Sequence, residues 1–474
     1  MASSSSSAME LEHKKSRMAI TLESEAIDRI SNLPEPLLCH ILSFLTSKEA
    51  AATSTLSTKW RPLWTSVPVI DLHEEVCFQV RERVLKRIPK SGIRFSTIVN
   101  GVFDQRTTHS LKKLLLSSVL KSCNSNHVMA WVSFAIAGNV EEIELTFSMD
   151  EGIELPITHF TCKENIELPI TLFTCKTLVV LKLHGCIDIK NVPSSVHLPL
   201  LKIADINDVH FPYVQYGCPH FITTFLSGCP LLEQLSANLS PSGSVKISNP
   251  LLKKLCIFSG YNVHGVTKLE IDTPSLLFLD IRATSILDYS VENVGNLVEA
   301  RLLVYEKNGP VDFVLNLIKA IREIRIMSLS YGHKGAFDKT CNLDLPEFCN
   351  LVRLELSHYY CYKSELLVKF LQKCPKLEVL IIKRDSFASE EMPWNEPTCV
   401  PNCLSSHLTM FKFKKYRGYL EDLALTTYIF KSAKLLKIAT IQIDNFSEKS
   451  NIQKQISVVP RTSTICELVF EQMS

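Results

Sequence analysis

A short apolar pattern that returns along the middle of the chain constrains the fold more than any other feature. The pattern spaces three apolar residues as in Val140, Ile143 and Leu145, and its alternating end is typical of a β-strand. It returns at Leu178-Leu181-Leu183, Leu200-Ile203, Leu232-Leu235, Leu252-Leu255-Ile257, Leu276-Leu279-Ile281, Leu297-Ala300-Leu302, Ile321-Ile324-Ile326, Leu351-Leu354-Leu356 and Leu377-Leu380-Ile382. Because one such unit cannot bury its own apolar face, the pattern predicts units stacked into a solenoid with a parallel sheet.

The spacing of the units is typical of leucine-rich repeats. From residue 178 to residue 377, eight intervals span 199 residues, about 25 residues each. The intervals are uneven: the shortest runs from Leu232 to Leu252 and the longest from Leu200 to Leu232. Proline often precedes the strand, as in CPLLEQL and NPLLKKL. We therefore expect an α/β fold whose central part, residues 140–392, is an irregular leucine-rich-repeat solenoid.

A tandem duplication interrupts the first repeats. The segment IELPITHFTCK at 153–163 returns as IELPITLFTCK at 166–176, and the offset between the two copies is only half the length of a repeat. Half a period cannot add a whole turn to a solenoid. We expect the extra copy to bulge out as a loop, with the second copy in the register of the repeats.

The stretch at 28–64 holds two short amphipathic helices and a tryptophan-rich end. In the first helix, apolar residues recur at three- and four-residue spacing from Leu33 to Leu45. Pro34 and Pro36 fall in its first turn, where a missing N–H costs little. So short a stretch cannot bury this much apolar surface alone, and a partner is the expected cover.

This stretch resembles an F-box. The resemblance rests on Leu33-Pro34, Leu37-Leu38, Ile41-Leu42, Leu56-Ser57, Trp60-Arg61 and Leu63-Trp64, although Thr58 stands where the family usually carries Lys or Arg. It implies a three-helix module that binds a Skp-type adaptor and so joins a cullin–RING ubiquitin ligase. The residues that we expect at the adaptor contact are Leu33, Pro34, Leu37, Leu38, Ile41, Leu45, Leu56, Trp60 and Trp64. Some of them must instead pack the core of the module, and the sequence alone does not assign each one.

The C-terminal part of the chain, from residue 393 onward, resembles an FBD domain. The matching residues are Trp394, Val400-Pro401, Cys403-Leu404, Ala433, Leu436, Cys466 and Leu468-Val469-Phe470. The order of F-box, irregular leucine-rich repeats and FBD is that of a large plant family of F-box proteins. It implies an α/β fold that begins with a three-helix F-box, continues as the repeat solenoid and ends in an α/β FBD cap.

These features divide the chain into five predicted segments. They are a disordered tail at 1–25, the F-box at 26–72, a connecting region at 73–139, the repeats at 140–392 and the FBD domain at 393–474. Just before the connecting region, a strand is predicted from Val67 to Leu72. Helices are expected through Val76–Leu85 and through Leu111–Leu120.

Composition and motifs favour a non-catalytic protein. The net charge of +2 gives no general attraction to nucleic acid, and no run of 18 apolar residues or signal peptide occurs, so we expect the cytosol or nucleus. The 16 cysteines are expected to be reduced, and Cys399 and Cys403 lack a second pair of metal ligands. His73-Glu74-Glu75 is expected to be a solvated cluster. The lysines at 412 and 414 alternate with Phe411 and Phe413 as on a strand with its aromatic rings inward. We expect no enzyme activity, cofactor, metal, nucleic acid or membrane partner.

The sequence thus predicts the substrate-recognition subunit of a SKP–cullin–F-box ubiquitin ligase, in which the repeats recruit an unknown protein target. Two alternatives stay open. One is a leucine-rich interaction scaffold that works outside a ligase. The other is a ligand-sensing F-box receptor, in which a small molecule completes the target surface.

Overall fold

The structure is a computed structural model. It describes residues 29–74, 76–81, 84–89, 93–148, 165–189, 195–210, 221–239, 244–259, 268–283, 288–305, 312–332, 344–358, 364–384, 394, 396–445 and 447–472. The predicted N-terminal tail and the first copy of the tandem duplication lie outside these residues. The described helices are α1 (Glu35–Leu42), α2 (Ser47–Ala52), α3 (Phe95–Asp104), α4 (Ser125–Ala137), α5 (Phe221–Ser227), α6 (Asp312–Ala320), α7 (Ser364–Gln372), α8 (Asn402–Ser406), α9 (Leu420–Ser432) and α10 (Lys449–Ser457).

The described strands number 21, and most of them are five to seven residues long. They are β1 (Val69–His73), β2 (Val76–Arg81), β3 (Val84–Pro89), β4 (Lys113–Val119), β5 (Glu142–Ser148), β6 (Ile166–Glu167), β7 (Val180–Asp188), β8 (Ile203–His210), β9 (Gln234–Asn238), β10 (Ser244–Ser248), β11 (Lys254–Ser259), β12 (Lys268–Asp272), β13 (Phe278–Ala283), β14 (Tyr289–Glu292), β15 (Glu299–Tyr305), β16 (Ile326–Gly332), β17 (Arg353–His358), β18 (Val379–Arg384), β19 (Met410–Tyr416), β20 (Ile438–Ile443) and β21 (Glu467–Gln472).

One large parallel sheet runs through the whole described chain. Its order is β1-β4-β5-β7-β8-β9-β11-β13-β15-β16-β17-β18-β19-β20-β21, and β6 pairs with β7 beside this path. This is the stacking that the apolar pattern predicts, because each unit covers the apolar face of its neighbour. The α/β fold with a helical N-terminal region, a parallel-sheet repeat region and a C-terminal α/β region is confirmed.

A repeated hydrogen-bond arrangement carries the sheet from unit to unit. Just before most strands of the large sheet, one carbonyl oxygen accepts two successive N–H groups of the next unit, as Lys202 O does from Glu233 and Gln234 at 2.8 and 3.0 Å. The arrangement begins at Pro68, beside the N-terminal helices, and extends to Lys437, whose carbonyl accepts the Glu467 N–H. The strands therefore precede and follow the range 140–392 that the sequence assigned to repeats.

The length of each interval decides how the chain returns to the next strand. A second parallel sheet, β10-β12-β14, forms the returns between the frame residues Leu232, Leu252, Leu276 and Leu297, which follow one another closely in the sequence. In these short intervals the return segment is a strand, because a strand spans more distance per residue than a helix does. Longer intervals hold helices instead, such as α6 after Leu297 and α7 after Leu351.

The predicted frame is wrong in one unit by one residue and in another by three. In the first of these units the register pairs Leu181 with Ala204, so the frame there is Leu201-Ala204-Ile206 and not Leu200-Ile203. Leu200 is instead 46% exposed, while Leu201 is buried. The small alanine at a core position concealed the correct alignment from the sequence pattern.

In the second unit the register pairs Ala300 with Met327, so the frame is Ile324-Met327-Leu329 and not Ile321-Ile324-Ile326. Ile321 is buried at the end of the preceding helix, where its N–H donates to Leu317 O. An apolar pattern does not distinguish a buried helix end from the start of a strand. With the corrected frame, the interval that precedes Ile324 and the interval that follows it are equal in length.

Two predicted helices in the connecting region are wrong. The residues at 76–81 and 84–89 form the antiparallel strands β2 and β3, with Val76 opposite Pro89. The segment through Leu114 and Leu116 forms β4, a strand of the large sheet. Leu111, Leu114 and Leu116 are buried in the spacing of the repeat frame, which is also compatible with a helix when read alone.

Candidate functional site

The N-terminal helical module, residues 29–67, has a small core of its own. Helix α1 contributes Leu38 and Leu42, which are 0% and 1% exposed. They pack with Ala50, Trp60, Leu63 and Val67. This core is separate from the long core of the solenoid. One face of α1 is therefore committed to holding the module together.

Local hydrogen bonds fix the ends of the helices in this module. Helix α2 begins with a capping box, in which the Glu49 carboxylate accepts the Thr46 N–H at 3.0 Å and Glu49 N–H donates to Thr46 Oγ1 at 3.3 Å. The Thr46 backbone N–H, as the leading cause, lowers the pKa of Glu49 from its ordinary value. Trp60 Nε1–H donates to Ser31 Oγ at 2.7 Å. The Lys59 ammonium donates to the carbonyls of Ser31 and Leu33, which ties the entry segment to the tryptophan-rich end.

The module is also attached to the first strand of the large sheet. Ser47 Oγ accepts the N–H of Asp71 in β1 at 2.8 Å. The Arg106 guanidinium donates to Val67 O at 2.9 Å and to Ser110 O at 3.0 Å, which holds the connection between module and sheet. These bonds set the position of α1 relative to the solenoid.

The second face of α1 is apolar and exposed. We call Pro34, Leu37, Ile41 and Phe44 the exposed stripe, because their spacing of three and four residues places them along one side of the helical segment. Leu37, Ile41 and Phe44 are 50%, 43% and 76% exposed. The Phe44 ring lies edge-on to His40 with centroids 5.0 Å apart, so it is held against the helix end. A chain that keeps three large apolar side chains together in water presents a surface for a partner.

The structure divides the nine predicted contact residues into three groups. Pro34, Leu37, Ile41 and Leu56 are exposed; Leu33, Leu45 and Trp64 are partly buried against the small core; Leu38 and Trp60 lie inside it. Leu38 and Trp60 therefore support the surface and do not form it, because their side chains turn toward the interior of the module. Thr58, which departs from the family pattern, is exposed.

Two exposed apolar residues of the module were missed by the sequence prediction. Phe44 is 76% exposed and Ile30 is 57% exposed. The signal for Phe44 was present in the sequence, because it follows Ile41 by three residues on the same side of the helix. Ile30 precedes the helix, and no periodicity could have indicated its exposure.

Comparison with known families and proteins finds matches to each of the three parts of this chain. The F-box domain family matches residues 30–72, LRR repeats described for FBD-associated F-box protein At5g56370 match residues 128–295, and the FBD family matches residues 396–441. Among curated proteins of Arabidopsis thaliana, FBD-associated F-box protein At4g10400 is 30% identical over 467 residues, which cover 94% of this chain and 100% of that protein. The chain belongs to the F-box/FBD/LRR-repeat family of plants. F-box/LRR-repeat protein At2g42720, also from Arabidopsis thaliana, is 28% identical over 93% of this chain and 99% of its own length.

Members of this F-box family are generally adaptors and not catalysts, and an F-box in general implies binding to a Skp-type adaptor. Within the described residues, no group of three metal-ligating side chains occurs. The described helices also include none that is both long and apolar enough to cross a membrane.

Glu74 of the predicted solvated cluster accepts from Ser118 Oγ at 2.7 Å and Ser122 Oγ at 2.6 Å, so it links the ends of β1 and β4.

Among the described residues of this F-box protein, most cysteines are free thiols. Ten are free in the described part of the chain, but Cys186 in β7 is disulfide-bonded, contrary to the expectation of reduced cysteines. Burial raises the pKa of Cys229 to about 12 and that of Cys403 to about 11. Such thiols are inert core side chains.

The outward face of the repeat sheet carries an aromatic and cationic cluster on β11, β13 and β15. The Lys254 ammonium and the Arg301 guanidinium lie 5.5 and 5.1 Å from the ring centre of Phe278. Arg282 lies 5.3 Å from the ring centre of Phe258. Both rings are half-buried at positions that alternate with the frame, so they face away from the core. Partly exposed rings beside cations are a suitable surface for contact with another protein.

The FBD region continues the repeat sheet by the parallel pairing of β19 with β18, and a buried ion pair adds a second contact between the two parts. Arg384 at the end of β18 donates to Asp422 Oδ1 through Nε and Nη2 at 3.0 and 2.8 Å. Burial, as the leading cause, raises the pKa of Asp422 above its ordinary value. The predicted alternation on β19 is confirmed, because Phe411 and Phe413 are fully buried and Lys412 reaches Glu471 at 2.7 Å.

Proposed function

We propose that this F-box protein is the substrate-recruiting subunit of a SKP–cullin–F-box ubiquitin ligase. The exposed stripe on α1 is the observation that carries the proposal. Its opposite face is locked into the core of the module, and the module is bonded to β1. A partner that covers the stripe therefore holds the entire solenoid in a defined position through these contacts. In this role the chain supplies proximity and performs no reaction itself.

The stripe suits a Skp-type adaptor because it is apolar and preformed. Burying one such side chain contributes roughly 1.5–3 kcal/mol. Leu37 and Ile41 are 50% and 43% exposed, so covering the exposed parts of both contributes roughly 1.5–3 kcal/mol to adaptor binding. Through the adaptor, the chain would join a cullin–RING ligase. We propose that it acts in the cytosol or nucleus.

The test is calorimetric titration of the full chain with a purified Skp-type adaptor. Leu37→Lys combined with Ile41→Lys is expected to weaken binding by about 100-fold or more, because two apolar contacts become charged. The matched control is Leu435→Lys, which charges a side chain that is 48% exposed in the FBD region. Equal affinity of the double variant and the wild type would falsify the docking assignment.

The outward face of the repeat sheet is our proposed target surface, with the cluster around Phe258 and Phe278 at its centre. Ligase and scaffold functions differ in the fate of the bound target. In cells, a target of the ligase accumulates when the stripe is charged by Ile41→Lys, whereas a target of a scaffold keeps its normal level. Ligand sensing would instead make target binding depend on a small molecule, and binding by the purified chain alone would argue against it.

A further inference from the structure

The aromatic and cationic cluster at the centre of the outward face presents its positive groups to solvent and keeps its carboxylates beneath them. The side chains of Arg282 and Arg301 are 44% and 52% exposed, and Lys254 is exposed as well. The carboxylates beside the two arginines belong to Asp280 and Glu299, whose side chains are only 5% and 25% exposed. A molecule that approaches this part of the sheet therefore meets cations first.

The strands on either side of the cluster add no charge to this face. By the register of the sheet, the outward positions of β9 are Gln234, Ser236 and Asn238, and those of β16 are Ile326, Ser328 and Ser330. The five neighbouring strands from β9 to β16 thus hold three cations and two carboxylates on this face, which leaves one positive charge in excess. Because the carboxylates are the more buried groups, the surface is complementary to an anion.

The cations also keep hydrogen-bond donors that the described chain does not use. Arg301 donates to Glu299 through Nε at 2.8 Å, and neither of its Nη groups has an acceptor among the described residues. The Lys254 ammonium lies over the Phe278 ring and has no carboxylate partner in the same part of the chain. A guanidinium with both terminal nitrogens free can hold a carboxylate through two parallel hydrogen bonds.

Elsewhere on the outward face, several lysines are paired with carboxylates of other strands. Lys182 of β7 reaches Glu144 of β5 at 2.9 Å, and Lys414 of β19 reaches Glu355 of β17 at 2.9 Å. These lysines join strands of the sheet. The arginines of the cluster instead contact acids of their own strands, so their terminal groups are available to a ligand.

We propose that this cluster binds an acidic, extended segment of the target protein, with carboxylates at alternate positions. The inference rests on the proposed function, because it names the class of target that the outward face recruits. Lys254 and Arg301 both lie beside the Phe278 ring, at 5.5 and 5.1 Å from its centre. Alternate side chains of an extended peptide lie on one face about 7 Å apart, so two carboxylates can reach both cations. The ring holds the cations in place, which reduces the entropy that binding costs.

A nucleic acid fits this surface less well. Its backbone carries a phosphate at every nucleotide and requires an extended basic surface. The outward positions of β9 and β16 are uncharged, and Asp280 and Glu299 within the cluster repel a polyanion. The cluster therefore suits a short acidic peptide.

The test begins with a random octapeptide library displayed on phage and selected against the immobilised full chain. Enriched peptides are expected to carry Asp or Glu at alternate positions. One of them is then synthesised with a fluorescent label, and its affinity is measured by fluorescence anisotropy. Replacing its acidic residues by Asn or Gln should weaken binding at least about tenfold. Enrichment of peptides without acidic residues, or no enrichment, overturns the proposal.

A charge reversal in the cluster tests the location of the site. Arg301→Glu should weaken binding of the acidic peptide at least about tenfold, and a peptide with Lys in place of its acids should bind this variant more tightly than the wild type. The matched control is Lys113→Glu on β4, five strands from β11 and about 24 Å away. Lys113 is 50% exposed and also contacts an acid, Glu142, so both variants place two carboxylates side by side.

Lys113→Glu should bind the peptide like the wild type, and both variants should keep the wild-type circular dichroism spectrum. An equal loss of affinity in the two variants would refute the assignment to the cluster, and so would tighter binding of a single-stranded DNA octanucleotide than of the peptide.

Calorimetric titration of the same preparation with the Skp-type adaptor separates this inference from the proposed function. Peptide binding without adaptor binding supports the acidic-target surface and refutes the ligase role. Adaptor binding without peptide enrichment refutes the acidic-target surface alone.

Discussion

Replacing Asp422 by alanine is expected to destabilise the FBD region because it leaves a guanidinium buried without its counter-ion. Arg384 is 5% exposed and Asp422 is fully buried. Both nitrogen donors of Arg384 reach the same carboxylate oxygen, at 3.0 and 2.8 Å. Breaking a buried pair by removing one partner costs about 3–5 kcal/mol.

Contacts with neighbouring groups change this estimate of the lost stability. The guanidinium carbon of Arg384 lies 4.5 Å from the ring centre of Tyr419, and this contact, worth about 0.5–2 kcal/mol, survives the substitution. The carboxylate also accepts the backbone N–H groups of Arg417, at 3.2 Å, and of Tyr419, and the loss of both bonds adds about 2 kcal/mol. The surviving ring contact and the lost backbone bonds nearly cancel, so we expect the free energy of unfolding to fall by about 4 kcal/mol.

The assay is urea unfolding followed by the fluorescence of Trp394. The Trp394 ring lies 6.0 Å from the ring of Tyr428 on α9, so its fluorescence reports on this region. The other tryptophans, Trp60, Trp64 and Trp131, are replaced by Phe in all proteins compared. A local probe is needed because the units of a solenoid unfold with limited cooperativity.

The control is the double variant Arg384→Met with Asp422→Leu. Because it buries no charge, we expect it to lose only about 2 kcal/mol, the cost of the Arg417 and Tyr419 N–H groups that lose the carboxylate. A loss of less than about 1 kcal/mol in Asp422→Ala, or a double variant as unstable as the single one, would refute the stabilising role of the ion pair.

Three further outcomes are expected. Thr46→Ala should cost about 1 kcal/mol and return the pKa of Glu49 toward its ordinary value in an NMR titration. Because folding lowers that pKa, the contribution of the pair is present above the unfolded pKa and lost as pH falls through the folded one. Gly185→Ala should lower the melting temperature, since φ is +85° and a Cβ would lie 2.2 Å from a backbone oxygen. A thiol-alkylating reagent at neutral pH should modify exposed Cys349 and spare buried Cys229, as judged by mass spectrometry.

Each of these outcomes has a matched comparison. Thr55→Ala, at an exposed threonine of the F-box, should not move the pKa of Glu49, and an equal effect would contradict the capping-box assignment. Gly101→Ala, where a Cβ meets nothing within 4 Å, should instead raise the melting temperature slightly, because alanine favours the helix α3 more than glycine does. Labelling of Cys229 as fast as that of Cys349 would show that the solenoid core is open.

The sequence determined the fold class through a pattern that repeats. A frame such as Leu351-Leu354-Leu356 indicates a strand with one buried face, and its return at uneven but similar intervals indicates stacked units. In two units the frame was misplaced, because Ala204 is small for a core position and Ile321 is buried without belonging to a strand. Buried positions favour apolar residues, but an apolar residue in the sequence does not show which element of the structure buries it.

The candidate site shows the same limit at the level of one helix. The spacing from Leu33 to Leu45 established an amphipathic F-box helix whose apolar residues exceed what one face can hold. Only the tertiary structure assigned Leu38 to the module core and Leu37 to the exposed stripe, because the packing of α1 against the rest of the module selects which side is covered.

The two ends of the large sheet likewise depended on tertiary structure. The frame at Ile465, Leu468 and Phe470 has the same sequence pattern as the frames before it. It differs because, among the described residues, no further unit packs against it, and this packing is visible only in the tertiary structure. The sequence by itself determined which residues seek burial; the tertiary structure decided which of them are still exposed, because burial depends on the cover that another element provides.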